Sequence, residues 1–206
     1  PLWVAYYRRG LPRFLKVKEW IDSGVIGEIR SVRTAQYSQR ENFESGDLPW
    51  RVLPEVAGGG FFVDVGSHTL DLLDYFLGTI KQVQGMAVNQ LGLYPAEDHV
   101  VANYRFESGV VGTGVWCFTA GKDIDRTEIF GSKGKIEFAT FADEPIRLMT
   151  DEDEEILEIA HPANIQQGLI QTIVNEMNGD GKCPSTGVSG ARTSRVIDEI
   201  LKDYRG

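Results

Sequence analysis

Asp64 and His68 stand four residues apart behind a run of three glycines, Gly58-Gly59-Gly60. On a helix that spacing puts both side chains on one face. A carboxylate beside an imidazole suits proton transfer, because the imidazole changes charge near neutral pH. The pair also has a reading without chemistry, in which Asp64 caps the helix and His68 is a structural histidine. Arg8 and Arg9 end an apolar run. Paired guanidiniums there meet a phosphate or carboxylate, or simply form the solvated end of a strand. Trp50 and Arg51 sit in a segment without periodicity, where an aromatic side chain packs a ligand or anchors its loop. His68, His99 and His161 lack the spacing of a metal site. The acidic run Asp151-Glu152-Asp153-Glu154 lacks the ligand pattern and turn glycine of a calcium loop. Asp98-His99 reads as a surface pair at the start of a strand.

The elements that must place these residues follow from periodicity. Residues 2–7 read as a strand already under way, and Pro12 opens a helix that Gly24 ends. A long strand covers 29–39. Residues 40–57 form a long loop feeding into the glycines, and loops of that length are usually functional or disordered. A helix spans 67–77, with Leu72, Leu73, Phe76 and Leu77 as its buried stripe. Strands follow at 81–91, 99–106, 110–118, 126–130, 135–138, 146–150 and 155–159, with hairpin turns at 107–109, 131–134 and 151–154. Helices at 165–177, capped by Asn164, and 190–204 close the chain. The expected class is α+β, a large, mainly antiparallel open sheet with helices on one face. Tyr104, Trp116, Phe118 and Phe138 are assigned to the other face, whose apolar character implies a cover.

The chain has 206 residues and a formal net charge of −9. It reads as one domain over 1–206 with a sizeable core. Its acidity argues against a nucleic-acid surface. No apolar run reaches membrane-spanning length, and no signal peptide is visible. Cys117 and Cys183 fit reduced thiols in a cytoplasmic protein. No Gly-x-Gly-x-x-Gly fingerprint, phosphate-binding loop or Gly-x-Ser-x-Gly elbow occurs. A chain opening inside a strand reads as a fragment.

Four segments together resemble one family. They are Tyr6-Tyr7-Arg8-Arg9 with Pro12 and a helix to Gly24-Val25-Ile26-Gly27; Gly58-Gly59-Gly60 with Asp64 and His68; Phe130-Gly131-Ser132-Lys133-Gly134; and Ser185-Thr186-Gly187 before the last helix. In this order they resemble the substrate-side domain of the NAD(P)-dependent oxidoreductases that include glucose-fructose oxidoreductase and myo-inositol dehydrogenase. The resemblance covers essentially the whole chain. It implies a longer parent with a dinucleotide-binding (Rossmann) domain upstream, ending in a Glu-Lys-Pro segment. NAD or NADP would bind in that parent, and none is expected on this fragment alone. The implied reaction moves a hydride between nicotinamide and a hydroxyl-bearing carbon of a sugar or cyclitol. In that picture His68 is the acid/base, Asp64 orients the substrate or the histidine, and Tyr7, Arg8, Arg9 and Trp50 lie at the substrate or the domain junction. The family also implies homo-oligomers, here through the open sheet face. Two alternatives accompany this reading: an NAD-recycling sugar lyase or glycosidase, and a non-catalytic binding or assembly domain.

Overall fold

The computed structural model describes residues 1–39 and 48–205. The first part of the 40–57 loop, 40–47, therefore lies outside the described residues. In chain order the elements are a 3-10 turn Tyr7–Gly10, α1 Pro12–Ser23, β1 Ile29–Gln39, a 3-10 turn Trp50–Val52, α2 Pro54–Ala57, a π turn Phe62–Gly66, α3 Ser67–Leu77, β2 Ile80–Val88, β3 His99–Phe106, β4 Val111–Ala120, β5 Ile124–Gly131, β6 Gly134–Phe138, β7 Ile146–Thr150, β8 Glu154–Leu157, α4 Gln167–Asn178 and α5 Gly187–Arg205. The eight strands form one sheet in the order β2-β3-β4-β1-β5-β6-β7-β8. Only the β1–β4 pair is parallel among the described strands. The fold is thus the expected α+β arrangement, an open and mostly antiparallel sheet with its helices on one face.

Alternation decides which side chains go inward. In β3, Val100, Ala102, Tyr104 and Phe106 are buried while Val101, Asn103 and Arg105 are exposed. Tyr104, Trp116, Phe118 and Phe138, assigned above to the open face, all belong to the main core. Trp116 meets Phe62, just ahead of α3, at 4.9 Å between ring centroids. Phe138 meets Phe14 of α1 at 5.8 Å and Phe76 of α3 at 5.6 Å. Two glycines of β4 make the recesses these rings need. A Cβ on Gly112 would lie 2.3 Å from the Tyr104 ring, and one on Gly114 would lie 2.3 Å from the Trp116 ring. The open face instead mixes charge with apolar side chains, Arg33, Glu128 and Lys135 among Met86, Val101 and Val111.

Three local expectations are corrected. Residues 2–7 do not form a strand: one bridge joins Trp3 to Thr186, and the chain then turns at Tyr7. The helix expected from 165 begins at Gln167, and Gln166, not Asn164, occupies its N-cap, with no side-chain cap bond. Asp98 is no surface residue. Its carboxylate is buried and accepts the Gln90 and Leu91 N–H groups at 2.8 and 2.9 Å.

Candidate active site

The glycine triplet starts the site. Gly58 ends α2 with φ +78°, a left-handed conformation that favours glycine. Gly60 then runs against Glu97, where a Cβ would lie 2.7 Å from the Glu97 carbonyl oxygen. The Gly60 N–H donates to Glu97 Oε1 at 2.8 Å. Glu97 therefore supplies the carboxylate that the sequence reading gave to Asp64 as a cap. It is 1 % exposed, and burial raises its pKa even though Gly60 favours the ionised form. The chain next widens into the π turn, a feature often found at functional sites.

Asp64 and His68 share this segment but do not bond to each other. The Asp64 carboxylate accepts Arg51 Nε at 2.7 Å, and the Arg51 guanidinium lies 4.8 Å above the exposed Trp50 ring. His68 is half-buried among Tyr6, Tyr7 and Phe141, at centroid distances of 5.4, 5.7 and 6.3 Å. Its Nδ1 is buried and has no hydrogen-bond partner. Burial, with a contribution from the Arg8 charge, lowers the imidazole to about 4. His68 is therefore neutral at pH 7 and can accept a proton.

The two adjacent arginines diverge across the 3-10 turn. Arg8 donates through Nε to Thr140 O at 3.0 Å and lies 4.2 Å above Phe141 and 4.8 Å above Tyr7. Burial lowers its pKa, while Tyr7, Asp125 and Asp64 oppose that shift. It is the cation of the His68 cage. Arg9 turns into the core. It grips Asp71 through Nε and Nη2 at 2.8 and 2.7 Å and reaches Asp74 at 3.1 Å and Pro184 O at 2.9 Å. Arg192 of α5 completes the cluster on Asp74. All three Arg9 guanidinium nitrogens are engaged, so this residue ties the first turn to α3 and the segment before α5. The structure thus gathers Tyr7, Arg8 and His68, places Asp64 and Trp50 beside Arg51, and sends Arg9 elsewhere. Sequence reasoning missed Phe141, Tyr6, Glu97 and Asp125; of these only Tyr6, next to Tyr7, carried a local cue.

Among the described residues no three His, Cys, Asp or Glu side chains gather as metal ligands. No helix among them is long and apolar enough to cross a membrane. With β1–β4 as the single parallel pair described, the successive parallel strands that cradle a dinucleotide are not among the described strands.

Comparison with known proteins fixes the family. The GFO/IDH/MocA C-terminal domain description matches residues 14–137. The chain belongs to this family. An oxidoreductase of Formosa agariphila is 30% identical to the GFO/IDH/MocA domain described here, over 95% of this chain and 60% of the relative. Myo-inositol 2-dehydrogenase of Thermotoga maritima is 30% identical over 73% of this chain and 44% of its own length. A levoglucosan dehydrogenase, solved in complex with NADH and levoglucosan, shares the fold with a TM-score of 0.80 at 21% identity, covering 98% of this chain and 63% of that one. The GFO/IDH/MocA domain thus spans less than two thirds of the length of these relatives.

Proposed function

We propose that this domain forms the substrate side of an NAD(P)-dependent oxidoreductase acting on a hydroxyl-bearing carbon of a sugar or cyclitol, with His68 carrying the hydroxyl proton. The observation that carries the reading is the half-buried imidazole caged by Tyr6, Tyr7 and Phe141, with Arg8 stacked on two of those rings. The named chemistry of the inositol and levoglucosan dehydrogenases among its relatives agrees with it. The nicotinamide would be held by a separate dinucleotide-binding domain of the longer enzyme.

This chain's residues account for the proton side. As hydride leaves a carbinol carbon, the attached hydroxyl becomes strongly acidic. Even an imidazole lowered to about 4 can then accept its proton. The rings around His68 cover part of the imidazole and would offer apolar faces to a sugar. Arg8 gives the site a fixed positive charge that favours oxygen developing negative character. Asp64, Arg51 and exposed Trp50 stand together, with an ion pair for hydroxyl groups and a ring for stacking.

The test is His68→Ala in the longer enzyme. It lowers kcat/KM for sugar or cyclitol oxidation by about 10²–10⁴-fold. NAD(P) affinity is unchanged, because the dinucleotide is held by the other domain. Unchanged turnover in a folded variant would remove His68 from the mechanism.

A further inference from the structure

The rings around His68 are not anchored alike. Tyr6 and Tyr7 belong to the segment entering the first 3-10 turn. Phe141 comes from the connection between β6 and β7, distant in sequence. That connection is tied on both sides of its backbone. The successive N–H groups of Thr140, Phe141 and Ala142 all donate to the Asp125 carboxylate, at 2.9, 2.5 and 2.8 Å. The Thr140 carbonyl accepts Arg8 Nε at 3.0 Å, and the Ala142 carbonyl accepts Arg13 Nη1 at 3.0 Å. Arg13 Nη2 also donates to the Glu144 carbonyl. A carboxylate receiving three amide N–H groups is a charge-assisted anchor, stronger than a neutral turn bond. It fixes the backbone under one side chain, Phe141, whose ring then meets both His68 and Arg8.

We propose that Asp125 is a positioning residue for His68, acting through Phe141, which it holds against the imidazole so that water stays off the ring. The inference rests on the reading of His68 as the proton carrier. The charge acting directly on His68 is Arg8 from the 3-10 turn, and Asp125 from β5 and Asp64 in turn act on Arg8, while Asp71 stands three residues along α3. Asp64 is paired with Arg51, and Asp71 with Arg9. Asp125 therefore acts on the site in two ways of opposite sign. Losing its negative charge disfavours the imidazolium and lowers the titration midpoint. Losing the ring wall admits water and raises it.

The experiment follows the His68 imidazole by NMR titration in the 206-residue chain, with His68→Gln assigning its signal. Asp125→Glu keeps the charge but alters the reach to the three amides, and Phe141→Leu removes the ring alone. The expected result is a midpoint raised by about one unit or more in both variants, from about 4 towards the ordinary value of 6.5. Asp125→Asn is expected to rise as well, because the lost wall outweighs the lost charge. If Asp125→Asn does not fold, Asp125→Glu decides. A midpoint that rises in Phe141→Leu but stays or falls in both Asp125 variants would overturn the proposal, and so would no change in any variant. In the longer enzyme the acid limb of kcat/KM should move with the midpoint. A shifted midpoint with normal turnover would uphold the positioning role and reject His68 as the proton carrier.

Discussion

Between pH 7 and pH 4.5 the folding stability of this domain should fall partly because of one residue, His68. Its imidazole titrates at about 4 in the folded chain, against 6.5 for the free group, because burial and Arg8 disfavour the charged form. The unfolded chain therefore binds more protons in the window from 6.5 down to about 4, and stability must drop as pH falls through it. Integrating the two titrations gives a loss of about 2 kcal/mol between pH 7 and pH 4.5. Asp71 works in the opposite direction, since burial lifts its carboxyl to about 6, so the wild-type curve alone does not isolate His68. The comparison with His68→Gln does. Glutamine lowers or raises the whole curve but lacks the titration. Urea unfolding of both proteins at a series of pH values gives the two curves, and their separation should change by about 2 kcal/mol across the window. Parallel curves would show that His68 is not held neutral by its cage, and the site reading would lose its electrostatic basis.

Arg9→Ala should destabilise the chain by about 3–5 kcal/mol, because it leaves the Asp71 and Asp74 carboxylates buried without their shared cation; thermal or urea unfolding measures it. Gly60→Ala should cost about 1–3 kcal/mol, since its Cβ would meet the Glu97 carbonyl at 2.7 Å and the Ala96 Cβ at 2.9 Å; a stability equal to wild type would show that the glycine turn can open. Glu176 is held at about 2, chiefly by the Cys183 N–H and Trp3 Nε1, so its contribution is complete above about 4.5 and is lost as pH falls towards 2; Glu176→Gln should flatten stability in that acid range. Self-association through the open sheet face should bury more than about 1,000 Å², and glutamate at exposed Val101 and Val111 should weaken it in sedimentation experiments.

Local pattern carried the order of the elements, and also carried the glycine turn that delivers His68. Each of those signals is written within a few residues: alternation in β3, a stripe in α3, three glycines before a helix. What was not legible depends on how distant segments meet. Alternation in β3 and β4 shows that Tyr104 and Trp116 lie on one face, but not which face; the answer lies in the recesses at Gly112 and Gly114 and in rings such as Phe62 on the helix side. Arg8 and Arg9 are chemically alike and adjacent, yet a 3-10 turn sends one to Phe141 and the other to Asp71. Asp125 has no motif around it. Its role arises because β5 lies beside the connection that follows β6, and three amide N–H groups there point at one carboxylate. The residue proposed to carry the proton stands behind a glycine signal written in the sequence, whereas the groups that would set its proton affinity come from segments that only the fold brings together.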